Sequence, residues 1–317
     1  MIKVLGIIVG VLVLVTLGFW LKWRAPDIPY ATLEAKFVSD ASHFVDLPGE
    51  IHMHYRDEGD PKAPLLVLLH GYGDSYTTWE GWVDTLKDRY HILSIDFPGH
   101  GLTRAPQRYR LNGDALADLV DVFAARLKLS KFALAGNSMG GGVAWRFAVR
   151  HPDRLTALVL VDAAAFPPSG PPKELPLAFK ILQYSWGRAL LASIDNAPLI
   201  SQGLKMDVYD PTLITPALVA RWAELQRAPG HRDILMSGDL RGLSAATTAV
   251  VSKIAVPTLV IHGESDVLIE PASSQRLAEA IPGAQLILYP KVGHLPQLEI
   301  PRQSATDVAA FLTAHPP

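Results

Sequence analysis

The strongest feature of the hydropathy pattern lies at the N-terminus, where Val4 to Leu21 (VLGIIVGVLVLVTLGFWL) runs for 18 residues without a charge. As a helix this run spans roughly 27 Å, about the hydrocarbon thickness of a bilayer. Lys3 precedes it, and Trp20, Lys22, Trp23 and Arg24 follow, the order of an interfacial aromatic and basic belt. Residues 1–24 are therefore expected to form a membrane anchor with a single N-terminal transmembrane helix. A cleaved signal peptide is the competing reading, but the run closes on bulky and charged residues, and only Thr16-Leu17-Gly18 offers a small-x-small site. The very short tail with one lysine resembles an uncleaved export signal, which places the remaining chain outside the cytoplasm. The basic Lys22, Arg24 and Lys36 argue for the other side by the positive-inside rule.

Beyond a proline-bearing linker at 25–42, the pattern becomes that of a folded domain. HFVDL (43–47) and IHMHYRDE (51–58) flank Pro48-Gly49 and read as an antiparallel hairpin. Ile51, Met53 and Tyr55 share one face, leaving His52 and His54 on the other, which is expected to be solvated. Nearly continuous apolar runs follow at 64–70, 91–96, 131–137, 155–162, 257–263 and 284–290, as strands buried on both faces require. Helical periodicity fills 112–128 and 139–150. Strands alternating with helices predict a mostly parallel, doubly wound α/β sheet. The alternation fails between 162 and 257, a gap too long for one crossover. An inserted helical cap is expected at 163–238, with helices near 173–185, 211–228 and 230–237. The core, 43–162 and 239–317, resumes with a helix near 240–254.

Composition removes several alternatives. Formal net charge is −2, with 29 basic and 31 acidic residues dispersed along the chain, so no electrostatic footprint for nucleic acid exists. With no cysteine, thiol catalysis, disulfides and Cys-ligated zinc are excluded. His52 and His54 lack a nearby third ligand, so no metal site is expected there.

The chemistry concentrates in Gly136-Asn137-Ser138-Met139-Gly140, a G-x-S-x-G match. Alone it arises by chance in roughly one chain of this length in ten. Here an apolar strand runs into it and a helix opening on Gly140, Gly141 and Gly142 follows, the context a strained nucleophile turn needs. A serine hydroxyl requires a base. His294, in Val292-Gly293-His294-Leu295-Pro296 after the last strand, fits the chain order Ser, Asp, His, whereas His70 and His100 lie upstream. His70 is expected to fix its own loop. Asp266, after the 257–263 strand, is the expected orienting acid, with Asp162 and Glu264 as competitors. The oxyanion donors are expected to be the backbone N–H groups of Met139 and Tyr72, the latter in His70-Gly71-Tyr72-Gly73.

LLHGYGDSYTTW, DFPGHGLT, GNSMGG, GESD and VGHLPQLE occur in the order of the α/β-hydrolase family, and the chain from about 43 to 317 resembles its cap-bearing branch. That resemblance implies an α/β-hydrolase fold with 163–238 as a lid. It also implies a serine hydrolase that cleaves small to medium hydrophobic carboxylic esters without a cofactor. Serine at the elbow departs from the dehalogenases and epoxide hydrolases, which place aspartate there. Carbon-carbon hydrolases of meta-cleavage products and cofactor-free perhydrolases share the triad. The former usually carry an aromatic residue where Leu295 stands and a small residue where Tyr72 stands. A membrane-tethered binding module that kept the fold is the non-enzymatic alternative. Phe166, Leu177, Phe179, Ile181, Leu182, Tyr184 and Trp186 make the cap apolar, as a lid or a pocket lining would be.

Overall fold

The computed structural model describes residues 10, 14–18, 20–167, 181, 184–237 and 245–315. Its frame is an eight-stranded sheet in the order β1-β2-β4-β3-β5-β6-β7-β8. The strands are β1 (Ser42–Leu47), β2 (Ile51–Glu58), β3 (Leu65–Leu69), β4 (His91–Ile95), β5 (Phe132–Asn137), β6 (Leu155–Val161), β7 (Thr258–Gly263) and β8 (Gln285–Tyr289). β1 and β2 form the expected hairpin, turning through Gly49 and Glu50 at positive φ. β2 also pairs antiparallel with β4, and every later pairing is parallel. The central strands are almost wholly apolar, with helices covering both faces of the sheet.

One face carries α3 (Gly113–Arg126), α4 (Met139–Arg150) and α10 (Pro271–Ala280), whose Phe123, Phe147 and Leu277 pack onto Leu69, Leu134 and Val260. The other carries α2 (Glu80–Leu86) and, after the short α11 (Pro296–Glu299), the C-terminal α12 (Pro301–Ala314); α2 and α12 bury Trp82, Val308 and Phe311 against Leu68, Val159 and Leu259. Trp82 Nε1–H donates to Ser304 Oγ at 2.8 Å, so its one polar atom is satisfied within that layer.

The cap contributes α5 (Ser185–Ser193), α6 (Ala197–Asp207), α7 (Pro216–Gln226) and α8 (His231–Ser237). Leu204, Val208, Ile214, Val219 and Trp222 form its own small core, closed at the bottom by Leu295. The helix expected near 173–185 falls almost wholly outside the described residues. Of the one expected at 240–254, residues 240–244 lie outside them and the remainder yields only the single turn α9 (Thr248–Val251).

Two expectations, the linker and the solvated face of β2, meet a different structure, and the anchor falls largely outside the described residues. Residues 14–18 and 20–23 are helical, and among the described residues no helix is long and apolar enough to cross a membrane. Residues 1–9, 11–13 and 19 of the expected anchor lie outside them. The 25–42 linker contains α1 (Tyr30–Phe37), whose buried Leu33 packs with Leu102, Leu225 and Ala228 and so ties the segment to both core and cap. His54 is not on a solvated face: α1 and the loop after β4 cover that side of β2. There His54 Nδ1 bonds buried Asp96 at 2.7 Å. Alternation along β2 could not reveal this, because the covering segments are remote in sequence.

Candidate active site

β5 delivers the chain directly into Ser138, which sits between the strand and α4 at φ +53°, a left-handed conformation few non-glycine residues adopt. The turn survives because its neighbours lack side chains. A Cβ on Gly136 would strike the Gly140 carbonyl, and one on Gly140 would strike the Leu69 carbonyl of β3. Backbone bonds then lock the elbow: Ser138 N–H donates to Val161 O at 3.0 Å, and the N–H groups of Gly142 and Ala164 donate to Ser138 O at 2.9 and 3.0 Å. Ser138 is left partly exposed at the N-terminus of α4, where the helix dipole favours negative charge.

His294 and Asp266 come together from loops following β8 and β7. His294 Nδ1–H donates to Asp266 Oδ2 at 2.7 Å, and both side chains are buried. Asp266 Oδ1 accepts the Leu268 and Ile269 N–H groups at 2.7 and 3.0 Å, so the carboxylate is held on both oxygens. Burial pushes the Asp266 carboxyl up, but the charge and hydrogen bond of His294 outweigh it and hold the group below the usual range. Burial alone would depress His294. The Asp266 charge and hydrogen bond, with Asp207 and Glu299 adding, raise it above its ordinary value. Asn137 Nδ2 donates to the His294 carbonyl at 3.1 Å, fastening the base loop to the serine turn.

The sequence competitors separate clearly. Glu264 is exposed. Asp162 is fully buried at the end of β6 and accepts Gly263 N–H at 3.0 Å. His70 fixes its loop, as expected, by a 2.7 Å bond to Gly71 O and by accepting Phe97 N–H at 3.0 Å. His100 is buried and bonded to Pro98 O at 3.0 Å. Asp162, His262 and Asp266 gather ligand-type atoms within 4.8 Å of one another. His262 already engages Ser274 Oγ and Ile269 O, and Asp266 is committed to His294.

A model of the alpha/beta hydrolase family matches residues 66–310. The chain belongs to that family. It is 28% identical to Lipase 3 of Moraxella sp. (strain TA144) over 82% of this chain and 80% of that one. It is 29% identical to the 2-hydroxy-6-oxononadienedioate/2-hydroxy-6-oxononatrienedioate hydrolase of Comamonas testosteroni over 78% of this chain and 86% of that one. Among solved structures, a membrane phospholipase A described as a novel bacterial virulence factor is similar at a TM-score of 0.71 and 25% identity. The match covers 98% of this chain and 97% of that one.

In this hydrolase the described residues of the cap reach into the site at three points, none of which sequence reasoning had found. His294 N–H donates to Asp207 O, at the C-terminus of α6, at 2.6 Å. Tyr72 Oη donates to Leu235 O of α8, and Gln226 Nε2 of α7 donates to Gly73 O at 2.7 Å. The loop carrying Tyr72 is therefore tied to the lid on either side, and Gly71 runs close beside Asn137 and Ser138. The Asp207 carboxyl is pushed up to about 6 by burial, with the His294 charge pulling the other way. No motif marks Asp207, because its relation to His294 exists only once the insertion folds back. The apolar cap residues sort differently from a pocket lining. Phe166 is buried, Tyr184 and Trp186 are exposed, and Leu177, Phe179 and Leu182 lie outside the described residues.

A base must be neutral to accept a proton, so with His294 as the base activity is expected to fall as pH drops through its pKa, which lies above the ordinary imidazole value. Asp207→Asn removes one of the charges that raise it. The acid limb of kcat/KM is expected to move to lower pH in that variant, and an unmoved or upward-moved limb would show that Asp207 does not act on His294.

Proposed function

We propose that this hydrolase is a serine-dependent carboxylic ester hydrolase working through an acyl-enzyme. The observation that carries the reading is the 2.7 Å bond between His294 and Asp266, fastened through Asn137 to the strained turn that presents Ser138. In this reading Ser138 Oγ attacks the ester carbonyl while His294 Nε2 takes its proton. The N–H groups of Met139 and Tyr72 receive the oxyanion, and the alcohol leaves with the proton from His294. Water, deprotonated by the same base, releases the acid and restores Ser138. Asp266 fixes the tautomer and offsets the imidazolium charge. No cofactor or metal is needed.

The likeness to a lipase and to a membrane phospholipase A supports hydrophobic acyl esters, those carried in lipids included. Fluorophosphonate is expected to label the protein and not Ser138→Ala. Across p-nitrophenyl esters of graded acyl length, turnover is expected to exceed that of a vinylogous dienone acid, the substrate type of the carbon-carbon hydrolases. No labelling of the folded protein would remove the serine mechanism, and faster turnover of the dienone acid would replace the ester reading.

We further propose that residues 4–21 anchor the enzyme in a membrane, with the catalytic domain outside the cytoplasm and the cap close to the bilayer. Support comes from the chain just past the anchor. Arg24 pairs antiparallel with Ile194, Ala25 N–H donates to Ser193 O at 2.9 Å, and Asp195 N–H donates to Trp23 O at 2.8 Å. Trp20 and Trp23 are exposed at this seam, Tyr184 and Trp186 are exposed at the other end of α5, and the aromatic residues suit a headgroup layer. The sequence has no cysteine, so Trp20→Cys and Trp186→Cys each give one labelling site. In proteoliposomes, lipid-borne quenchers are expected to quench a fluorophore at either position. Quenching at 20 alone would reject the cap contact, and quenching at neither would reject the anchor too.

A further inference from the structure

β6 and β7 lie side by side and parallel, so their C-terminal ends bring two carboxyl groups to one place, Asp162 from the first and Asp266 from the loop after the second. Neither side chain has any solvent exposure. Two carboxylates this close, away from water, cannot both carry charge. Their hydrogen bonds show which is ionised. Asp266 accepts three donors: the N–H groups of Leu268 and Ile269 on Oδ1 and His294 Nδ1–H on Oδ2. Among the described residues Asp162 accepts only Gly263 N–H on Oδ1, and its Oδ2, fully buried, finds no donor.

The neighbouring imidazole does not supply the missing donor. His262 Nε2 lies 3.5 Å from Asp162 Oδ1 and 3.4 Å from Asp266 Oδ2, but it faces the Ile269 carbonyl at 3.1 Å. A carbonyl can only accept, so Nε2 carries the hydrogen and gives it to Ile269. Nδ1 takes the Ser274 hydroxyl at 2.7 Å, which leaves the ring neutral and both nitrogens engaged. The oxygen that lacks a donor as a carboxylate becomes a donor itself as a carboxylic acid. The carboxylate beside it is that of Asp266, the two acids and His262 each bringing a ligand-type atom within 4.8 Å of the others.

We infer that Asp162 is a neutral, proton-bearing carboxyl that donates to Asp266 and positions it for His294. The inference deepens the ester-hydrolase reading and rests on it for the role of His294. One proton is held between two carboxyls, so the group facing the imidazolium carries a single negative charge, and the charge sits on Asp266. Burial and the Asp266 charge both favour the protonated form of Asp162. Asp162 also holds φ +43°, a backbone conformation that asparagine adopts as readily. The turn therefore explains a short polar side chain but not an acid. Asparagine would also supply a donor to Asp266 and an acceptor for Gly263 N–H, so Asp162→Asn conserves the proposed role and Asp162→Ala deletes it.

The test is infrared spectroscopy of the full-length protein at pH 7, compared with Asp162→Asn, together with kinetics of both variants. The difference spectrum of wild type minus Asp162→Asn is expected to show the carbonyl stretch of a protonated carboxylic acid, beyond any band that buried Asp74, raised to about 8 by desolvation, gives in both. Asp162→Asn should keep kcat within about threefold of wild type. Asp162→Ala should lose up to about 10²-fold in kcat, the scale of a misplaced catalytic group, with KM unchanged. No protonated-carboxyl band that depends on Asp162 would overturn the proposal, as would Asp162→Asn slowed as much as Asp162→Ala. Should Asp162→Ala fail to fold, the band and the Asp162→Asn rate still decide. A protein that shows the band and hydrolyses no ester keeps the proton-sharing pair and loses the ester reading instead.

Discussion

The architecture turns on one backbone constraint, the left-handed turn at Ser138. A residue with φ +53° between a buried strand and a helix is strained, and it persists only where the surroundings over-determine it. Here β3, β6 and α4 do so: glycines let the strand and helix backbones close to contact, and the Ser138 amide and carbonyl are bonded into the end of β6 and the start of the following loop. The apolar sheet is thus the support on which one hydroxyl is held clear of its neighbours, and the layers of α3 and α4 on one side and α2 and α12 on the other keep that support rigid.

Around this fixed point, charge is arranged in a graded series. Asp266 is ionised because three donors, the His294 imidazole among them, face it. Asp162 behind it has one donor, and Asp207, at the cap's edge, is half-buried and lifted toward neutral pH. Each lies where a separate segment ends: after β7, after β6 and at the last residue of α6. The cap adds more than cover. Through Asp207, Gln226 and Tyr72 it is bonded to the base loop and to the loop beside Ser138, so a shift of the cap would be felt at both.

Much of this was legible in the sequence because the signals were local. The both-face apolar runs at 64–70, 131–137, 155–162 and 257–263 became β3, β5, β6 and β7, and GNSMGG became the turn at Ser138. What stayed hidden depended on contacts remote in sequence. His54 looked solvated because nothing in β2 announces that α1 and the loop after β4 cover it. Asp207 carries no motif and meets His294 only through the folded insertion. Asp162 was visible as a rival to Asp266, but its relation to that acid follows from the adjacency of β6 and β7. Even the linker hid α1, whose single buried leucine gives too weak a periodicity to declare a helix.

The central claim is that the relay from Asp266 through His294 makes Ser138 a nucleophile that carries the acyl group. Rapid-quench mass spectrometry during turnover of a slow p-nitrophenyl ester tests it most directly. The account predicts a transient mass gain equal to the acyl group on the peptide containing Ser138, formed in step with nitrophenolate release. Ester turnover with no acyl adduct, or with the adduct on another residue, would contradict it.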